Sequence, residues 1–148
     1  VMTEKYFGGT VPSVNTTSSN IETAVVNDSW RLWSEALNTL QIDQAFKAVW
    51  DLVRFANQRI DETKPWDLAK NNAAQLSEVL YEQLEIIRHI GLQLTPLLPD
   101  TAVKIAKMLN IKLAERQSAA QFDLAKQWGG LASGTKLVPT EALFPRRD

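Results

Sequence analysis

Apolar residues in this chain recur at alternating steps of three and four, and that spacing constrains its fold more than any other feature. Val26, Trp30, Trp33, Leu37 and Leu40 advance by four, three, four and three residues, which places them on one face of a helix. Ile42, Phe46, Val49, Val53, Ala56 and Ile60 repeat the pattern, with Asp43 placed to cap the start through its carboxylate. Pro65 ends this second helix near Asp61, because a proline disfavours helical geometry in the residue before it. Leu76, Leu80, Leu84, Ile87, Gly91 and Leu94 form a third stripe, and Val79, Ile86 and Ile90 make a second row beside it. An apolar face that wide predicts a central helix, covered from more than one side. Pro96 and Pro99 break it. Ala102, Ile105, Ala106 and Leu109 then define a fourth helix, with Pro99 near its start.

Amphipathic helices of this kind, joined by short connections, bury their faces against one another. The expected fold is therefore all-α, an antiparallel helical bundle of four to five helices with an irregular C-terminal tail. One domain spans 1–148. Residues 1–7, Val1-Met2-Thr3-Glu4-Lys5-Tyr6-Phe7, read as the end of a truncated helix stopped by Gly8-Gly9. Residues 8–20, with Pro12 and a run of Ser, Thr and Asn, form a connection, and 21–112 carry the main helices. In 113–148 the pattern weakens: Gly129-Gly130, Gly134 and Pro139 cut the tail into short pieces, and Lys136-Leu137-Val138 suits an extended segment. No internal repeat is evident.

Composition excludes several kinds of chemistry. The 148 residues include no cysteine, which rules out a disulfide scaffold, a thiolate zinc site and a cysteine nucleophile, and fits a cytoplasmic location. His89 is the one histidine, too little for a zinc site and a poor basis for a serine triad. It falls on the row Glu78, Glu82, Glu85, His89, which reads as the solvated polar side of the third helix. No Gly-rich phosphate loop occurs. No stretch approaches the ~20 apolar residues that span a bilayer, so no membrane partner is expected. Net charge is −1, from 16 basic and 17 acidic residues. Proteins held to nucleic acid mainly by phosphate neutralisation are far more basic, which argues against a general nucleic-acid binder, and no DNA partner is expected. That balance leaves room for a small surface that reads a few unpaired bases.

The most informative stretch is Asn57-Gln58-Arg59-Ile60-Asp61-Glu62-Thr63-Lys64-Pro65-Trp66. Asn57 and Asp61 stand four apart, on one face at the helix end. Pro65 then turns the chain just before a large aromatic. Two readings of Trp66 stand side by side. It is a core plug closing the end of the bundle, or a stacking platform for an unpaired base, flanked by short polar side chains that bond to base edges. Arg54, Arg59, Lys64 and Lys70 lie close enough in sequence to offer phosphate contacts.

Asn57-x-x-Ile60-Asp61-Glu62-x-x-Pro65-Trp66-x-Leu68-Ala69-Lys70 resembles the anticodon-binding helix corner of methionyl-tRNA synthetases. Lys5-Tyr6-Phe7-Gly8-Gly9-x-Val11-Pro12 is similar to that family's exit from its first bundle helix. Leu97-Leu98-Pro99-Asp100-Thr101-Ala102 is similar to its proline turn. Trp128-Gly129-x-Leu131 and Leu143-Phe144-Pro145-Arg146 resemble the end of its core polypeptide. His89-Ile90-Gly91-Leu92 shares three letters with the His-Ile-Gly-His signature of class I synthetases. It lies inside an apolar helix with no strand before it, and carries Leu at the fourth position.

The resemblance implies a bundle that receives the CAU anticodon loop of tRNA(Met). The Trp matching Trp66 stacks on the first anticodon base, and Asn57 and Asp61 match polar positions on the same surface. It places the family's principal readers of that base, an Asn and an Arg, upstream of Val1. Catalysis falls to a separate catalytic domain of the same polypeptide, and Leu143-Phe144-Pro145-Arg146 is expected to fold back toward it. No cofactor is expected in these 148 residues; ATP, with or without zinc, belongs to the catalytic remainder. Two other readings stay open: the same bundle from a valyl, leucyl or isoleucyl enzyme, and a helical protein-interaction domain whose Trp66 is core.

Overall fold

The computed structural model describes residues 2–14, 20–112, 119–139 and 143. Helices α1 (Met2–Phe7), α2 (Asn20–Asn38), α3 (Ile42–Thr63), α4 (Pro65–Asn71), α5 (Ala73–Leu94), α6 (Pro99–Leu109) and α7 (Ala119–Ala125) follow one another along the chain. The protein is an all-α helical bundle. Its four long helices are those the periodicity predicts, and α4 is a full short helix where a turn is expected. Pro65 and Pro99 both sit in the first turn of their helices, where a missing N–H costs nothing.

The core forms where the stripes meet. Val26, Trp30 and Trp33 of α2 pack with Ala45, Val49 and Leu52 of α3, and with Ile86, Ile90 and Leu94 of α5. Helix α5 is central, touching α2, α3, α4 and α6. Gly91 lets α6 approach closely: a Cβ there would stand 2.8 Å from Ile105 Cγ2. Three expected positions fall outside the core. Leu40 is exposed with a left-handed φ of 59°, because α2 ends at Asn38 and Leu40 turns the chain into α3. Ile42 and Ile87 are also exposed, at the margins of their stripes. The cap of α3 is Gln41 rather than Asp43, with no side-chain cap bond. Asp43 accepts instead from Gln44 Nε2 at 3.0 Å.

The largest departure from the sequence reading concerns His89, which is fully buried rather than solvated. Glu85, one turn before it, is also fully buried and accepts from Arg88 Nε at 3.0 Å and Nη2 at 2.8 Å. The backbone amides of Gly129 and Leu131 donate to the same carboxylate at 2.9 and 2.6 Å. Arg88 donates onward to the carbonyls of Ala125 and Gln127, at 2.6 and 2.7 Å. Trp30 Nε1–H donates to His89 Nδ1 at 3.0 Å, so the imidazole proton sits on Nε2. Both hydrogens of Arg88 Nη2 are taken by Glu85 and the Gln127 carbonyl, which makes its 3.1 Å approach to His89 Nε2 a packing contact. The tail supplies most of the partners for this polar cluster, and spacing within one helix does not show them.

The described part of the tail packs more closely than its weak pattern suggests. Phe122 of α7 packs edge-on against Trp30, with centroids 5.6 Å apart, and Trp128 stacks on His89 at 5.9 Å. Residues 135–138 run alongside 9–11, with an antiparallel bridge between Thr10 and Lys136. Val11 N–H donates to the Thr135 carbonyl at 2.8 Å and Leu137 N–H to the Gly9 carbonyl at 2.7 Å. This is the extended character expected of Lys136-Leu137-Val138. Leu143 packs against the core, while Phe144, Pro145 and Arg146 lie outside the described residues. Among the described residues, no helix is long and apolar enough to cross a membrane.

Candidate nucleic-acid interface

The α3–α4 corner is built by one residue. Lys64 adopts a left-handed conformation (φ 45°, ψ 65°) and caps both helices. Its N–H closes α3 on the Ile60 carbonyl at 3.0 Å, and its carbonyl accepts the Asp67 amide at 2.8 Å to open α4. A non-glycine residue in this region carries a conformational cost, offset here by backbone bonds on both sides. Pro65, whose fixed φ suits a first helical position, is buried; Trp66, next to it, is 42% exposed. Proline therefore occupies the position a core plug would take, and the indole stays partly exposed.

Asn57 and Asp61 are both exposed, one turn apart on the last turns of α3. Arg54 is exposed three residues before Asn57 and pairs with Asp51. Lys64 and Lys70 are exposed at the corner and at the end of α4. Arg59 behaves differently. Its Nε lies 2.6 Å from Oε1 of the fully buried Glu22, and its Nη1 lies 3.2 Å from Glu62. The contact with Glu22 has ion-pair distance without hydrogen-bond alignment. Arg59 is thus committed to tying the end of α3 to the start of α2, and the phosphate contact expected of it does not fit.

Acids and bases alternate around the corner. Asp61, Glu62 and Asp67 lie among Lys64, Lys70 and Arg54, and no basic patch dominates. Asp51 is held below the usual carboxylate range by hydrogen bonds from Lys47 and Arg54, and Glu62 by hydrogen bonds from Gln58 and then Arg59. A surface so balanced favours ring stacking and base-edge hydrogen bonds over phosphate neutralisation. The sequence reading did not single out Trp50, which is 45% exposed on α3. Counting back seven residues from Asn57 is the signal that would have found it.

Comparison with known proteins places this chain in a family. A family model described as the anticodon binding domain of methionyl tRNA ligase matches residues 11–147. Methionine--tRNA ligase of Clostridium acetobutylicum is 39% identical over 153 residues, covering 99% of this chain and 22% of that protein. The Clostridium perfringens ligase is 34% identical over 152 residues, with the same coverage of 99% and 22%. The free-state crystal structure of Mycobacterium tuberculosis methionyl-tRNA synthetase matches with a TM-score of 0.83 and 25% identity, over 99% of this chain and 30% of that one. The chain spans about a fifth of the length of the curated relatives it matches. The match along nearly all of its residues shows that this chain belongs to the anticodon-binding domain family of methionyl-tRNA ligases.

Proposed function

We propose that the chain reads the CAU anticodon loop of tRNA(Met) at the α3–α4 corner, as one domain of a polypeptide whose catalytic domain joins methionine to that tRNA at the expense of ATP. The observation that carries this reading is Trp66, exposed beside the buried Pro65 at a corner fixed by Lys64. An exposed indole costs solubility, and its flat face gains most where an unpaired base stacks on it. Asn57 offers a donor and an acceptor and Asp61 acceptors only, the groups needed to bond base edges. Lys64 and Arg54 supply the cations for neighbouring phosphates. A valyl, leucyl or isoleucyl origin fits less well, since the matched family model and relatives are methionyl ligases. An interaction domain with Trp66 in its core conflicts with the exposure of that side chain.

The test is binding of an anticodon stem-loop RNA to the natural polypeptide that carries this chain, by fluorescence anisotropy. A CAU loop should bind at least tenfold more tightly than a loop with a changed first anticodon base, because a lost base-edge contact costs ~1–3 kcal/mol. Equal affinity for both loops would overturn the reading.

A further inference from the structure

We propose that Trp50 is a second stacking platform, which extends the RNA surface along α3 so that another unpaired nucleotide of the same loop lies on its indole. The proposal rests on the reading of the α3–α4 corner given above.

Trp50, Arg54, Asn57 and Asp61 advance by four, three and four residues along one helix. At about 100° per residue all four project within a narrow arc, and at ~1.5 Å per residue Trp50 stands roughly 10 Å from Asn57 along the axis. All four are exposed. The stripe that carries two of the corner's polar groups therefore continues into a tryptophan as exposed as Trp66, at 45% against 42%.

Packing within the bundle does not account for this indole. Trp30 and Trp33 are buried, and each donates its Nε1–H to a protein acceptor: His89 Nδ1 at 3.0 Å and the Gln93 carbonyl at 3.1 Å. Among the described residues the Trp50 indole has no such acceptor and no ring-to-ring contact, Phe46 only lining the same hollow. Its ring borders a shallow depression of about 490 Å³, lined by Asp43, Phe46, Lys47, Trp50, Val53 and Arg54. Phe46 and Val53 give this hollow a half-buried apolar floor. Lys47 and Arg54 line the same hollow and share Asp51, which lies 2.8 Å from Lys47 Nζ. With Asp43 the surrounding charges cancel, so the hollow suits the stacked face of a base more than phosphate neutralisation.

The test uses the natural polypeptide with anticodon stem-loops that carry 2-aminopurine at one loop position at a time. Stacking on an indole quenches this base, so two different loop positions should be quenched on binding. Trp50→Ala should weaken binding about tenfold and release the quenching at one position; Trp66→Ala should release it at the other. Trp50→Phe should keep part of both effects. If Trp50→Ala binds as tightly as the unsubstituted protein and quenches every position equally, while Trp66→Ala weakens binding, the inference fails and the corner reading survives. If the unsubstituted protein binds no stem-loop, both fail. If Trp50→Ala lowers only the unfolding midpoint and leaves RNA affinity and quenching intact, another part of the polypeptide covers this face, and the inference fails.

Discussion

Gly130 lies so close to Arg88 that a Cβ at position 130 would stand 2.5 Å from the guanidinium carbon. The guanidinium cannot retreat easily, since it is held by Glu85 and by the carbonyls of Ala125 and Gln127. This contact joins the tail to the middle of α5. Gly130→Ala should therefore destabilise the chain by about 1–3 kcal/mol through overpacking, read as a lower urea midpoint. Amide exchange should quicken most at Gly129 and Leu131, whose N–H groups donate to Glu85. Wild-type exchange at those two amides would contradict the clamp.

The same cluster makes stability fall in acid. Burial lowers the His89 pKa to about 4, helped by the adjacent Arg88 charge and partly opposed by Glu85, against 6.5 for a free imidazole. The unfolded chain therefore binds a proton at a pH where the folded chain does not. The stability linked to His89 should be complete above about pH 7 and decline as pH falls from about 6.5 to about 4, by roughly 3 kcal/mol in total. Burial opposes the charge on Glu85, but Arg88 and then the Leu131 and Gly129 amides outweigh it and hold the carboxyl below its usual range. Its contribution is present above the unfolded carboxyl pKa and is lost as pH falls through the folded value, in the same direction. Urea midpoints measured from pH 7 to pH 4.5 should fall steadily. His89→Gln, which keeps an acceptor for Trp30, should flatten the upper part of that curve; an unchanged slope would assign it to other groups.

The two arginines on α3 should part company on substitution. Arg54→Ala removes an exposed side chain and should change stability by less than about 0.5 kcal/mol. Arg59→Met leaves the fully buried Glu22 without its cation, which should cost about 3 kcal/mol. Glu22→Leu added to Arg59→Met should recover most of the loss, because removing both charges leaves none uncompensated. Thermal unfolding of the three variants checks this, and equal effects of Arg54→Ala and Arg59→Met would refute the distinction.

The long helices were legible because α2, α3 and α6 each bury one stripe and α5 a wider apolar face, and such periodicity is a property of local sequence. What escaped depended on partners far along the chain. Glu85 and His89 read as solvated because polar residues on a helix usually face water; here the 125–131 segment supplies carbonyls, amides and the Trp128 ring. The Gly129-Gly130 pair read only as a break in the tail, and the close approach of Gly130 to Arg88 is visible in the structure alone. At the corner, Pro65 marked the bend correctly, but the exposure of Trp66 depends on which of two adjacent residues fills the bundle end. Sequence spacing does not decide that choice. Arg59 was misread for a similar reason, its counter-charge being on another helix.

Trp66 offers the sharpest separation of structure from recognition. Its indole is 42% exposed, so Trp66→Ala should leave stability within about 1 kcal/mol, against the ~3–5 kcal/mol expected of an aromatic removed from a core. If a base stacks on it, the same substitution should remove ~1–3 kcal/mol of binding, roughly ten- to a hundredfold in Kd for the anticodon stem-loop. Trp66→Phe should fall between, since a smaller ring still stacks. The left-handed Lys64 gives a control from the same corner. Lys64→Gly relieves its φ of 45° while deleting the cation, so it should hold or raise the unfolding midpoint while weakening RNA binding modestly and flattening its salt dependence. Loss of affinity at constant midpoint in Trp66→Ala supports the platform. A large drop in midpoint, with unchanged affinity in the protein that remains folded, would return Trp66 to the role of a plug.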